Sequence, residues 1–392
     1  MKMMLSLVAA VSAVSAFASR PEIAGLRVVQ DKGSYDARLE FTLSKDAILL
    51  LGGVKTNGVP VEASRLGGLK PSFNRKFPGG RNSVTWNLLA AWGEKFKLEN
   101  VTVDLKATDA NEPPDWLVFD LAPNGDVPRF YEQAGDVPDG VDADVYKTTK
   151  LLMRRIPAKG VEWRMGACVE WAGNSYRVRE IPHYVTLSED YYLAVYEFTR
   201  GQYRTLTGSD AAEWGGFADS DKRPAAGTGI SHTGLTGTLM PALSARTGGA
   251  FSLPTESQWE YACRAGCPED LYDYTWIQTR DNADVAADAL AWNKTTANLV
   301  VQAVGQKPAN DWGLRDMLGN VWELCADYYS TGDAYSDGSP VIDPVGIGTD
   351  AVRRGGSVND GNTNCRAAYR NNAAVGSTHK FWGFRPKCAL SF

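Results

Sequence analysis

A chain of 392 residues with 44% hydrophobic content can bury more than one core, which argues against general disorder. A formal net charge of −5 without any long basic run argues against nucleic acid and anionic membrane surfaces as partners. Beyond the N-terminus no apolar run approaches the length of a membrane span, so no membrane insertion is expected.

Residues 1–19 place Lys2 ahead of an apolar run that ends in Ala16, Phe17 and Ala18, the form of a signal peptide with a small-residue cleavage site. Export to a periplasmic or extracellular compartment is therefore expected. The chain holds six cysteines, Cys168, Cys263, Cys267, Cys325, Cys365 and Cys388, and an even count outside the cytosol favours disulfides. Their spacing leaves the pairing open, although Cys263 and Cys267 lie too close on one expected helix to pair easily.

Through 20–112 the pattern has period two. Ala37, Leu39, Phe41 and Leu43 alternate with Arg38, Glu40 and Thr42, and Val101, Val103 and Leu105 alternate with Thr102, Asp104 and Lys106. Gly52-Gly53, Asn57-Gly58 and Gly79-Gly80 punctuate these strands as turns. An antiparallel β-sandwich of immunoglobulin or fibronectin type is predicted, and its lack of any acid pair or nucleophile reads as a spacer or docking module.

Pro113-Pro114 breaks the alternation and sets the boundary to a second unit, 113–392. Short strands are predicted at 116–121, 161–166, 181–187 and 191–196, followed by a short helix from Thr199 and a long loop over 209–240. The clearest helix starts at Thr255, which forms a capping box with Gln258; Trp259, Ala262 and Cys263 share a face, and Gly266 is placed to end it. From Trp312 onward the chain reads as mostly irregular.

Chemistry-bearing residues concentrate at 313–323, GLRDMLGNVWE. Gly319 can fold the backbone at positive φ, and Asp316 and Glu323 could complete an oxygen cage for a hard cation such as calcium. The other reading is a tight turn whose acids cap neighbouring amides. The only histidines, His183, His232 and His379, show no spacing that suggests a metal centre, and neither a Walker phosphate loop nor a G-x-S-x-G elbow is present. Cys365 lies close in sequence to Arg353 and Arg354, which could lower a thiol pKa; as half of a structural bridge it would be inert.

Seven segments in this order carry a family resemblance: Arg164-Met165-Gly166, Glu180-Ile181-Pro182-His183-Tyr184-Val185, Tyr196-Glu197-Phe198-Thr199-Arg200-Gly201-Gln202-Tyr203, Leu253-Pro254-Thr255-Glu256-Ser257-Gln258-Trp259-Glu260-Tyr261-Ala262, GLRDMLGNVWE, Arg354-Gly355-Gly356-Ser357 and Gly383-Phe384-Arg385. Over 117–387 the chain resembles the sulfatase-modifying-factor family of formylglycine-generating enzymes. The resemblance implies an α+β, loop-rich fold related to C-type lectin domains, placed here after the N-terminal β-sandwich. It also implies calcium bound by the side chains of Asp316 and Glu323 and the carbonyls of Gly319 and Val321, and a second calcium near 282–292.

Formylglycine-generating enzymes hold copper between two cysteines five positions apart. Counting forward from Ser357, the first position here is Asp360 and the second Cys365, so at best one of the two copper thiolates is present. Trp322 and Ser357 match residues of the family's cleft, which makes Cys365, Ser357 and Trp322 the candidate catalytic residues. The resemblance further implies a disulfide between Cys263 and Cys365. Two functions follow as expectations. One is a calcium-stabilised module that binds a protein, peptide or glycan in the cleft; the other is an oxidase that converts a substrate cysteine to formylglycine.

Overall fold

Ala37, Leu39, Phe41 and Leu43 are the inner face of strand Asp36–Leu43, all four buried, while Arg38, Glu40 and Thr42 stay accessible. This strand is the middle of a three-stranded antiparallel sheet, between Ile23–Gln30 and Gly80–Asn87. A second sheet centres on Ala47–Thr56, which pairs with Val59–Pro60, Lys76–Phe77 and Thr102–Asp109. Between them lies one apolar core that includes Leu39, Phe41, Leu49, Phe77, Trp86 and Leu88. Asn57 and Gly58 take the positive φ values, 50° and 78°, that their turn requires. The structure is a computed structural model; it describes residues 21–389 except 168–178, 273–286, 331–340 and shorter stretches within 31–33, 67–75, 110–127, 211–219 and at 270. The expected signal peptide and Cys168 lie outside the described residues.

The rest of the chain has short strands, few helices and much irregular backbone, so the fold is α+β with an N-terminal β-sandwich and a loop-rich second part. A six-stranded sheet runs in the order Ala250–Ser252, Lys387–Ala389, Tyr191–Ala194, Lys150–Ile156, Trp116–Asp120, Arg129–Tyr131. A four-stranded sheet runs Arg370–Ala374, Asp350–Arg354, Trp322–Tyr328, Trp382–Gly383. Helix Glu256–Arg264 forms where predicted. Thr255 Oγ1 accepts from the Gln258 amide at 3.3 Å and Gln258 Oε1 accepts from the Thr255 amide at 3.0 Å. Trp259, Ala262 and Cys263 are all buried; the helix ends two residues before Gly266, capped by Ala265 in the left-handed region at φ 49°. Helix Arg200–Thr207 begins with the same device, Thr199 and Gln202.

Three expectations are corrected. The predicted loop over 209–240 gives way at His232 to a helical run: His232–Gly234, a π-helical turn Leu235–Leu239, then Met240–Thr247. Glycine, threonine and Pro241 mask this helix in the sequence, and the wide turn just before Pro241 suits a residue that cannot donate an amide hydrogen bond. Secondly, the segment after Trp312 is not mostly irregular, because all four strands of the four-stranded sheet come from it. Arginines, glutamate and asparagines in those strands break the apolar alternation that marks a strand.

The third correction concerns the disulfides. Cys263, Cys267, Cys325, Cys365 and Cys388 are free and buried, so the expected bridge between Cys263 and Cys365 is not formed and no disulfide occurs among the described residues. Burial raises the pKa of the Cys263 and Cys365 thiols well beyond the ordinary range and pushes Cys388 up to about 12. Each thiol is accommodated as a small apolar side chain; Cys365 Sγ packs so closely on Gly356 that a Cβ there would approach it to 2.8 Å.

Behind the four-stranded sheet, helix Glu256–Arg264 supplies two fully buried carboxylates to arginines arriving from elsewhere. Arg354, 0% exposed, pairs with Glu256 at 2.9 Å and also with Glu260. Arg370 grips Glu256 through Nε at 2.6 Å and Nη2 at 2.5 Å, and Arg264 reaches Glu260 at 2.8 Å. Burial alone would raise the Glu260 pKa, but the Arg264 and Arg354 guanidiniums overcome it and hold the carboxyl down at about 2. A second arginine fork, Arg366 on Glu180 at 2.8 and 3.0 Å, anchors the segment beside Cys365.

Arg354→Met should destabilise the protein by about 3–5 kcal/mol in denaturant unfolding, because two buried carboxylates lose their common partner. The exposed pair of Arg27 and Glu40 is the control: Arg27→Met should change stability by less than about 1 kcal/mol. In a Cys168→Ser variant, an Ellman titration should detect the remaining five thiols only after unfolding; fewer would reveal a disulfide, and reaction in the native state would contradict their burial.

Candidate functional site

The stretch 313–323 is a coil held in unusual backbone conformations. Asp316, Gly319 and Asn320 sit at φ 56°, 81° and 55°. At Gly319 a Cβ would meet the Trp292 carbonyl oxygen at 2.3 Å, so glycine is required there on both conformational and steric grounds. The coil then enters strand Trp322–Tyr328, which fixes the directions of Trp322 and Glu323 on opposite sides of the sheet.

On the inner side, Glu323 is forked by Arg385, at 2.8 Å from Nη2 to Oε1, and accepts from Trp259 Nε1 at 2.7 Å. Asp316, 2% exposed, accepts the Gly305 amide at 2.5 Å through Oδ2, while its Oδ1 has no hydrogen-bond partner. Glu197 joins them, accepting from Asn320 Nδ2 at 2.7 Å and from the Val321 amide at 3.1 Å. Burial lifts Asp316 to about 6 against the opposing pull of the Gly305 amide, Arg385 and Arg315. Burial, with Asp316 and Glu323 nearby, raises Glu197 as well. Three buried carboxyl groups thus surround one buried guanidinium, an excess of acid that a dication would balance. Among the described residues no three His, Cys, Asp or Glu side chains are grouped as metal ligands. The set implied by the family resemblance is compatible with this, because it combines only two carboxylates with two carbonyls.

Across the sheet lies the side that the family resemblance assigns to a cleft. Asp360 is at its centre: Oδ2 accepts from Trp322 Nε1 at 2.8 Å and from Ser357 Oγ at 2.5 Å, and Oδ1 accepts from Asn364 Nδ2 at 3.1 Å. The structure therefore brings Trp322, Ser357 and Asp360 together. Cys365 lies behind them, 0% exposed, its thiol raised first by burial and then by the negative charges of Asp360 and Asp288, against the pull of Arg366 and of the Ser357 backbone. The expectation that Arg353 and Arg354 activate this thiol is overturned, since Arg354 is paired with glutamates and Arg353 stacks on indoles.

A copper site of two thiolates does not fit this arrangement. The position paired with Cys365 is a carboxylate already held by three donors, and Cys365 itself is buried, which disfavours its thiolate. The histidines are no substitute. His183 Nδ1 is on the Ile181 carbonyl at 2.8 Å, His232 Nε2 is on that of Ala326 at 3.2 Å, and His379 is at the rim beside Trp382.

Four participants escaped the sequence reading of the site: Glu197, Asn364, Arg353 and Trp382. Arg353 was open to discovery, because adjacent arginines on a strand must face opposite sides and cannot share one role. Glu197 and Trp382 come from distant segments that meet the coil only in the folded chain.

Residues 159–389 match the sulfatase-modifying factor enzyme 1-like domain. The chain is similar to the formylglycine-generating enzyme of Streptomyces coelicolor, 32% identical over 151 residues that cover 34% of this chain and 45% of that protein. It is also similar to the inactive C-alpha-formylglycine-generating enzyme 2 of Bos taurus, 32% identical over 91 residues, 21% of this chain and 28% of that one. The chain thus spans less than half the length of these curated relatives. Treponema denticola variable protein 1 shares the fold: TM-score 0.50 at 23% identity, covering 62% of this chain and 96% of that one.

Proposed function

Because the chain belongs to the sulfatase-modifying factor family, whose cleft here lacks the chemistry of a two-thiolate copper site, we propose that it is an exported, calcium-stabilised binding module rather than an oxidase. Asp360 carries the reading. Its carboxylate, held by Trp322, Ser357 and Asn364, occupies the position of a copper thiolate. A soft monovalent copper ion favours sulfur, and a carboxylate already saturated with donors is a poor replacement. The name of the bovine relative, an inactive formylglycine-generating enzyme, is in keeping with a family that keeps its fold without the reaction.

Calcium has a structural role in this reading. The side chain of Asp316, whose Oδ1 is unpartnered, and the carbonyls of Gly319 and Val321 would hold it, and the side chain of Glu323 would join them by exchanging part of its bonding to Arg385 and Trp259 for the ion. The ion would neutralise the buried acids and tie the coil to the strand that carries Trp322. The cleft on the far side would take a protein, peptide or glycan.

Two experiments test the proposal. Incubated with copper(I), oxygen and a Cys-x-Pro-x-Arg peptide, the protein should retain no stoichiometric copper and form no aldehyde. One equivalent of copper lost in Cys365→Ser, together with aldehyde, would establish the oxidase instead. Chelation should lower the melting temperature; a site filled to 100 times its dissociation constant would be worth about 2.7 kcal/mol. An unchanged melting curve for protein shown by elemental analysis to be metal-free would remove calcium from the account.

A further inference from the structure

Strand Asp350–Arg354 ends in two consecutive arginines that meet opposite fates. Arg354 turns into the core and is matched by Glu256 and Glu260. Arg353 turns to the cleft, where its guanidinium carbon lies 4.7 Å from the Trp322 ring centroid and 4.8 Å from that of Trp382. Its Nε donates to the Asn372 carbonyl at 3.0 Å, which fixes the plane of the group. No carboxylate lies within ion-pairing distance of it among the described residues. The nearest acid of the cleft, Asp360, is held by three other donors.

A half-buried guanidinium that forms no ion pair is an unusual arrangement; the charge of Asp360 reaches it, but the carboxylate's hydrogen bonds go to other groups. The indole faces offset only part of the lost hydration. Lys380 and His379 stand in the same neighbourhood; burial lowers the His379 pKa, and the Arg353 and Lys380 charges lower it further against the opposing pull of Asp360. We propose that Arg353 is the anchor of the cleft, presenting the free edge of its guanidinium to a carboxylate, and that the ligand is an acidic peptide. The inference rests on the reading of the cleft as a binding site and adds the chemistry of what it binds.

The stacking decides between a peptide and a sugar. Carbohydrates bind aromatic clefts by laying a ring on an open indole face. Here Arg353 covers a face of each tryptophan, His379 packs on Trp382 at 5.4 Å, and Tyr369 packs on Trp322 at 5.8 Å. What remains available is a planar fork of N–H donors, which matches the two oxygens of an Asp or Glu side chain. Stacking also restrains the fork before the ligand arrives, which reduces the ordering entropy of binding.

The test uses the full chain with calcium present and two end-blocked peptides, one of alternating Gly and Glu and the other of alternating Gly and Gln. Binding is followed by calorimetry and by tryptophan emission. The wild type should prefer the Glu peptide by about tenfold or more, Arg353→Gln should abolish that preference, and Arg353→Lys should restore only part of it, since an ammonium cannot form the fork. Equal binding of the two peptides, or a Glu preference that survives in Arg353→Gln, would overturn the inference. If equal binding were lost in Trp322→Ala, the cleft would still be a binding site and only its acid preference would fall. Failure of both peptides while a uronic-acid oligosaccharide binds would overturn the peptide assignment. The wild-type comparison needs no variant, so a substitution that impairs folding cannot mask the result.

Discussion

Everything around the cleft depends on one buried electrostatic arrangement, the two carboxylates of helix Glu256–Arg264 facing Arg354, Arg370 and Arg264. Ions in an apolar interior are tolerated only when each is matched in charge and geometry. That demand ties the helix to strand Asp350–Arg354, to strand Arg370–Ala374 and, through Gly166 donating to Glu260 at 2.9 Å, to the end of strand Val161–Met165. Hydrophobic packing alone would tolerate a sliding register here. The ion network does not, because a one-residue slip in Asp350–Arg354 would exchange Arg353 and Arg354 between core and cleft.

A second charged centre works in the same way from the other direction. Arg385 enters from the C-terminal segment, forks Glu323 and donates to the Ala194, Val195 and Arg315 carbonyls at 2.7 to 2.9 Å. One side chain thereby joins the six-stranded sheet, the strand of Trp322 and the coil that precedes it. The two faces of strand Trp322–Tyr328 have separate duties: Glu323 holds the scaffold, and Trp322 shapes the cleft.

Local signals in the sequence were reliable where local physics decides. The capping boxes at Thr199 and Thr255 mark both helix starts, the alternation at 37–43 marks a buried face, and Gly319 marks a backbone that only glycine permits. Elements that draw their stability from distant partners were illegible. Strand Asp350–Arg354 looks too polar for a sheet interior until Glu256 and Glu260 arrive from another segment, and helix Met240–Thr247 follows a run of poor helix formers that packing overrides. The site divided in the same way. The family resemblance, rather than any local signal, singled out Trp322, Ser357 and Cys365 and marked Asp360 as the departure, whereas the role of Arg353 depends on Trp382, which is remote in sequence. The Cys263–Cys365 disulfide, implied by the family resemblance, failed because neither a resemblance nor an even cysteine count says whether each thiol is buried on its own.

The three donors on Asp360 also bear on how readily such a cleft can change its chemistry. Asp360→Cys would supply a second sulfur, but it would remove the acceptor that orients Trp322 and Ser357 and leave both groups unsatisfied. Cys365 would still be sealed behind Gly356. Any route from this arrangement to a two-sulfur site therefore passes first through a worse-folded intermediate, and several coordinated replacements are needed before any gain appears. The hydrogen bonds that organise the cleft act as a ratchet, holding its present use against single-step reversal.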